Sequence, residues 1–198
     1  NESLHNYARG GGSFVESTNN GTINGGVMNQ ADHEGSRNVA ANHGTVNGQY
    51  EFYTGDGGEV VGENNGTVNS LYAGADGGQV SAVNNGKVKE EIRADASHKS
   101  MKADVTVINN GEADRMYVSA GENGMLNVEN NGRLTGDGKT LTYAGDLELQ
   151  AALTFKSIKL NMSTIYANGH DLTFDESVDC RPSTYTNNGN TLTGIRNI

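Results

Sequence analysis

Asn42-His43-Gly44-Thr45-Val46-Asn47 and Asn64-Asn65-Gly66-Thr67-Val68-Asn69 are one hexapeptide with a single exchange, and its recurrences decide the fold. Asn-Asn-Gly itself begins at Asn19, Asn64, Asn84, Asn109, Asn130 and Asn187. With the Asn42 variant included, the first six starts lie 23, 22, 20, 25 and 21 residues apart. A near-constant period with small slips is what stacked coils joined by variable loops produce. After each glycine comes a short strand-like piece in which one apolar residue, Ile23, Val46, Val68 or Val88, points inward between outward neighbours.

A second punctuation falls near the middle of the period, in Tyr53 to Val60 (YTGDGGEV), Tyr72 to Val80 (YAGADGGQV) and Tyr117 to Leu126 (YVSAGENGML). Alternating stretches such as Val105-Thr106-Val107-Ile108 then lead back to the next Asn-Asn. Each period therefore holds two or three short strands with a glycine-rich corner between them. In the period from Asn84 that corner is replaced by Ala94 to Ser100, which reads as a loop bulging from the stack, with Ala94 to Lys102 available for contacts. From about Gly138 asparagine and glycine thin out and apolar alternation strengthens through Leu141, Leu147, Phe155 and Leu160. The pattern predicts one domain over 1–198, with Asn/Gly-rich coils at 1–137 and more apolar coils at 138–198 that continue the stack and cap it.

Stacking places the same residue of each coil above its counterpart, so a repeated residue becomes a column. A column of asparagines can form a ladder, each amide donating to one neighbour and accepting from the other. Glycine after it is expected to supply positive φ at the corner. The predicted fold is all-β, a right-handed parallel β-helix (β-solenoid) with coils of about 20–25 residues. The competing reading makes each Asn-Gly a hairpin turn between antiparallel strands. It does not require regular spacing, and so is disfavoured.

Composition agrees. The 198 residues include 28 Gly and 26 Asn, which excludes a helical bundle and disfavours a doubly wound α/β domain. Hydrophobic residues make up 34%, so the interior must be thin. A net charge of −10 repels phosphate backbones and anionic membranes, and nucleic acid is not an expected partner. No window is long and apolar enough to be a membrane span. The single Cys180 forms no internal disulfide, and no cofactor or metal is expected.

Candidate chemistry is sparse. Asp56 and Asp76 beside glycine pairs look superficially like calcium-binding nonapeptides, but the aspartate precedes the glycines, as a turn former would. The carboxylates Asp104, Glu112 and Asp114, and a second group Asp171, Asp175 and Glu176, are the candidates for general acid and base. His5, His33, His43, His98 and His170 show no metal-ligand spacing, and Cys180 beside Arg181 lacks a histidine partner. Tyr53, Tyr72 and Tyr117 recur at similar repeat positions and could line a strip for ligand contacts, sugar rings above all, although their repetition also suits plain packing.

The stretches IYANGHDLTF (Ile165 to Phe174) and NNGNTLTG (Asn187 to Gly194), following NNGTVN-type repeats, resemble segments of bacterial cell-surface, adhesin-like proteins built as parallel β-helices. The resemblance implies surface display or secretion and a non-enzymatic structural role, with a glycan or a cell-surface protein as partner. It supplies no catalytic residues. A polysaccharide-active β-helix, lyase or hydrolase, is the alternative. A glycan screen run together with a turnover assay discriminates the two.

Overall fold

The computed structural model describes residues 3–96, 103–120, 124–135, 140–144, 146–148, 153–161, 164–180, 183–187 and 190–195, with side chains described up to 135 and over 165–173. Every regular element among them is a β-strand. Strands are numbered in chain order. One sheet contains β1 (Leu4–Ala8), β4 (Val27–Ala31), β6 (Thr45–Thr54), β8 (Thr67–Ala75), β11 (Glu91–Asp95), β14 (Arg115–Ser119), β17 (Thr140–Ala144), β19 (Leu153–Asn161) and β21 (Leu172–Cys180). The other contains β2 (Phe14–Asn19), β5 (Arg37–Asn42), β7 (Glu59–Asn64), β9 (Gly78–Asn84), β12 (Ala103–Asn109), β15 (Met125–Asn130), β18 (Asp146–Glu148), β20 (Thr164–Tyr166), β22 (Ser183–Asn187) and β23 (Asn190–Ile195). The two-residue strands β3 (Thr22–Ile23), β10 (Lys87–Val88), β13 (Glu112–Ala113) and β16 (Arg133–Leu134) follow the Asn-Asn-Gly corners and form a narrow third face. Pairing is parallel throughout except between β22 and β23. The protein is a parallel β-solenoid, as the period predicts.

The asparagine starts are the rungs of a ladder. Asn19 Nδ2 donates to Asn42 Oδ1 at 2.8 Å, Asn42 to Asn64 at 2.8 Å, Asn64 to Asn84 at 2.8 Å, Asn84 to Asn109 at 2.7 Å and Asn109 to Asn130 at 2.8 Å. The same amides close their own corners: Asn42 Oδ1 accepts from the Gly44 N–H at 3.3 Å, and its Nδ2 donates to the Gly44 carbonyl at 3.2 Å. Asn42, Asn64, Asn84 and Asn109 are fully buried, which is tolerable only because the ladder satisfies them. The second asparagines Asn65, Asn85, Asn110 and Asn131 form an outer, exposed ladder of opposite direction. Asn85 donates back to Asn65 at 2.9 Å, Asn110 to Asn85 at 2.8 Å and Asn131 to Asn110 at 3.1 Å. His43 takes the asparagine's place in its rung, its Nδ1 3.4 Å from Asn65 Nδ2.

Glycine acts differently at the two corners. Positive φ, expected of the glycine after the asparagines, is found instead at the mid-period corner, where Gly35, Gly57, Gly77 and Gly78 adopt 71, 65, 79 and 85°. The described glycines of the Asn-Asn-Gly corners, Gly21, Gly66, Gly86, Gly111 and Gly132, do not. There the requirement is close backbone approach, since a Cβ on Gly66 would sit 2.0 Å from the carbonyl oxygen of Gly44 in the neighbouring rung.

The interior is a stack of aligned columns. Val60, Val80, Val105 and Leu126 pair in register in one sheet, and Tyr50, Leu71, Ile92 and Met116 in the other. The third face contributes Val46, Val68, Val88, Ala113 and Leu134. Large and small residues are matched across the thin core. Phe52, edge-on to Tyr50 at 5.1 Å, fills the space where Gly62 lacks a side chain, and a Cβ there would lie 1.9 Å from Phe52 Cε2. Gly62→Ala is therefore expected to lose about 1–3 kcal/mol by overpacking. Most of that loss should disappear in the Phe52→Leu/Gly62→Ala double variant, and a double-mutant cycle in urea measures the coupling.

Three further sequence expectations change. Ala94 and Ala96 are buried in the core and β11 runs through Asp95, so the contact loop does not begin at Ala94; residues 97–102 lie outside the described residues. The Asn187 signature is not a rung: Asn187 pairs with Asn190 where β22 meets β23 antiparallel, so the hairpin reading holds at this one copy. Asn168-Gly169 of the IYANGHDLTF stretch forms a turn with both φ positive, 51 and 83°, unlike the other Asn-Gly pairs among the described residues.

Candidate functional site

Tyr53, Tyr72 and Tyr117 come together on the outward face of the first sheet, in two adjacent columns. In one column Glu51, Tyr72, Arg93 and Tyr117 pair rung by rung; in the next, Tyr53, Gly74, Asp95 and Ser119 do so. Alternation along each strand turns these side chains away from the core that Phe52, Leu71, Ile92 and Met116 fill.

Arg93 organises the face. Its guanidinium lies over the Tyr72 ring at 5.4 Å and the Tyr117 ring at 4.7 Å, and it donates to Asp95 Oδ2 at 3.1 Å. One face of each ring is thus covered by the cation. The remaining ring surface and the polar rim of hydroxyls and carboxylates are left on the outward side. Gly74 is buried under this layer: a Cβ there would meet the Tyr72 hydroxyl at 2.8 Å and the Tyr53 ring at 3.1 Å. Arg93 was not singled out in the sequence. Its position one rung from each of two tyrosines was the available signal.

Burial raises the pKa of the Tyr53 hydroxyl, helped by the Asp76 carboxylate beside it. Burial also raises that of Tyr72, with the charge of Asp95 adding to it. Glu51 is likewise pushed up by burial, partly offset by His5. For a tyrosine whose folded pKa exceeds its unfolded one, the neutral form is the one the fold favours. The stability it contributes is complete below the ordinary value of 10.0 and is lost as pH rises past it. A spectroscopic titration should show Tyr53 and Tyr72 ionising after the exposed tyrosines, together with alkaline unfolding. Tyr53→Phe and Tyr72→Phe should each remove part of the late phase.

The other candidates do not converge. Asp104 faces outward on the second sheet, while Glu112 lies on the third face, 2.8 Å from Lys87 Nζ, with Asp114 two residues on. Asp56 and Asp76 occupy successive corners, where the Asp76 N–H bonds the Thr54 carbonyl at 3.3 Å and the Asp76 carbonyl accepts from Gly57 at 3.1 Å. Among the described residues no three His, Cys, Asp or Glu side chains are grouped so as to hold a metal. His98 and the side chains of Asp175, Glu176 and Cys180 lie outside the described residues. No described helix is long and apolar enough to cross a membrane. No protein family, curated protein or solved structure was found to match the chain.

Proposed function

We propose that the chain is a non-enzymatic, adhesin-like module displayed outside the cell, whose rigid stack presents a binding face to a glycan or a cell-surface protein. The supporting observation is the Tyr72–Arg93–Tyr117 layer with Tyr53 alongside it. It puts aromatic surface, a guanidinium and the carboxylates of Glu51, Asp76 and Asp95 on one outward surface, the mixture of apolar and hydrogen-bonding groups that sugar hydroxyls and ring faces require. A stack so regularly bonded from rung to rung suits the role of a stiff support.

A glycan array run in parallel with a polysaccharide turnover assay tests the reading. Retention without product release is expected, and Arg93→Ala should weaken it by about tenfold or more, equivalent to about 1.4 kcal/mol. Product release from any retained polysaccharide would overturn the non-enzymatic reading. Retention that is indifferent to Arg93→Ala and Tyr117→Ala would overturn the assignment to this face.

A further inference from the structure

Asparagine followed by glycine is a chemically labile dipeptide. The glycine nitrogen, unshielded by a side chain, can attack the asparagine side-chain carbonyl and expel ammonia. The corners of the solenoid repeat this dipeptide at Asn20-Gly21, Asn65-Gly66, Asn85-Gly86, Asn110-Gly111 and Asn131-Gly132. Attack needs two freedoms: the asparagine must turn its amide toward its own glycine, and the glycine N–H must be released from other bonds.

Three corners withhold both. The amides of Asn85, Asn110 and Asn131 are held in the outer ladder by bonds of 2.9, 2.8 and 3.1 Å. The N–H groups of Gly86, Gly111 and Gly132 donate to the carbonyls of Asn64, Asn84 and Asn109 in the preceding rung, at 3.0, 3.0 and 2.8 Å. Asn65 accepts from Asn85 and lies 3.4 Å from His43 Nδ1. Asn20 differs, because His43 stands in the next rung where the ladder would continue. Among the described residues none bonds the Asn20 side chain, which is exposed. The Gly21 N–H reaches only Asn19 Oδ1, at 3.1 Å within its own corner, and a Cβ on Gly21 would meet nothing within 4 Å. Asn24-Gly25 is more restrained, since Asn47 Nδ2 donates to Asn24 Oδ1 at 3.4 Å.

We propose that Asn20 is a site of spontaneous modification, converting to aspartate and isoaspartate while its counterparts Asn85, Asn110 and Asn131 persist. The Gly21 nitrogen bonds to Asn20 Cγ as the Cγ–Nδ2 bond breaks, and the proton it loses leaves with that amide as ammonia. Water then opens the cyclic imide. Cleavage at Cγ gives aspartate in the original main chain; cleavage at the Asn20 carbonyl carbon routes the main chain through Cβ and Cγ, an isoaspartate. Either product adds a negative charge at an exposed corner. The inner column is spared, because its first rung is Asn19 rather than Asn20.

The test incubates the full folded chain in mildly alkaline buffer and maps amide-to-acid conversion by mass spectrometry of its peptides. Asn20 should convert about tenfold or more faster than Asn85, Asn110 and Asn131, which react only through local opening of their rungs. In urea, with the rungs gone, the four rates should converge. His43→Asn puts the ladder residue back between Asn20 and Asn65, and should slow Asn20 by about threefold or more, the worth of one side-chain hydrogen bond. His43→Ala supplies no such partner and should leave Asn20 as fast as in the parent; circular dichroism confirms that both variants fold. Equal rates at the four sites in the folded chain would overturn the proposal, as would a difference that persists in urea, since local sequence would then set it. So would an Asn20 rate unchanged by His43→Asn, or slowed equally by His43→Ala.

Discussion

Gly66→Ala is expected to destabilise the protein by about 3 kcal/mol or more, at the upper end of overpacking costs. The added Cβ would lie 2.0 Å from the Gly44 carbonyl oxygen and 2.9 Å from two further backbone carbons, so no side chain can swing aside to admit it. The same contact recurs rung after rung, at 2.0 Å for Gly44, Gly111 and Gly132 and 2.1 Å for Gly86. Relief demands that two rungs separate, which stretches both amide ladders. For a chain of this length the loss corresponds to a fall in Tm of roughly 6–12 °C. The motif contains its own control. At Gly21 a Cβ meets nothing within 4 Å, so Gly21→Ala should be neutral or gain about 0.4–1 kcal/mol by restricting the unfolded chain. Thermal and urea unfolding of the two variants side by side would settle the matter. Similar losses at both positions would mean that the glycines are needed for their backbone angles after all.

Asn64→Asp should have the other large effect, and its sign depends on pH. Asn64 is fully buried and donates to Asn84 Oδ1 at 2.8 Å and to the Gly66 carbonyl at 3.3 Å. A carboxylate of the same shape can still accept from Asn42, but it points negative charge at two acceptors. The expected loss at neutral pH is about 3 kcal/mol or more. The new group therefore holds its proton in the folded state, with a pKa above the unfolded value of about 3.9. The variant should be nearest to the parent in acid and lose stability as pH rises through and beyond that value. Asn64→Ala should show a smaller loss without the pH dependence, and Asn65→Asp, on the exposed ladder, little change. A pH-independent deficit in Asn64→Asp would refute the directional role assigned to the amide. Urea midpoints across the acid range make the comparison.

The ladder was legible because its cause is periodic. The separations between successive asparagine starts are the same as those between bonded amides, from Asn19 to Asn42 through Asn109 to Asn130. The inward valines after each glycine were legible for the same reason. What stayed hidden depends on the neighbouring rung rather than on the local chain. A glycine needed for positive φ, such as Gly57, and one needed for close approach, such as Gly66, look alike in a sequence. Gly62 is explained by Phe52 across the core. Asn187 carries the full signature, yet β23 turns back upon β22 there. In the candidate site the three tyrosines were visible as a recurrence, while Arg93 became meaningful only when the register set it between two rings.

The two amide columns run in opposite senses, the buried one donating toward later rungs and the exposed one toward earlier rungs. An α-helix sums its peptide dipoles and grows a field with length. Here the side-chain moments oppose each other over the rungs from Asn65 to Asn131, and parallel strands add little of their own. Over those rungs lengthening the stack accumulates little axial polarisation from its amides, so whole rungs can be inserted or deleted there with little electrical consequence.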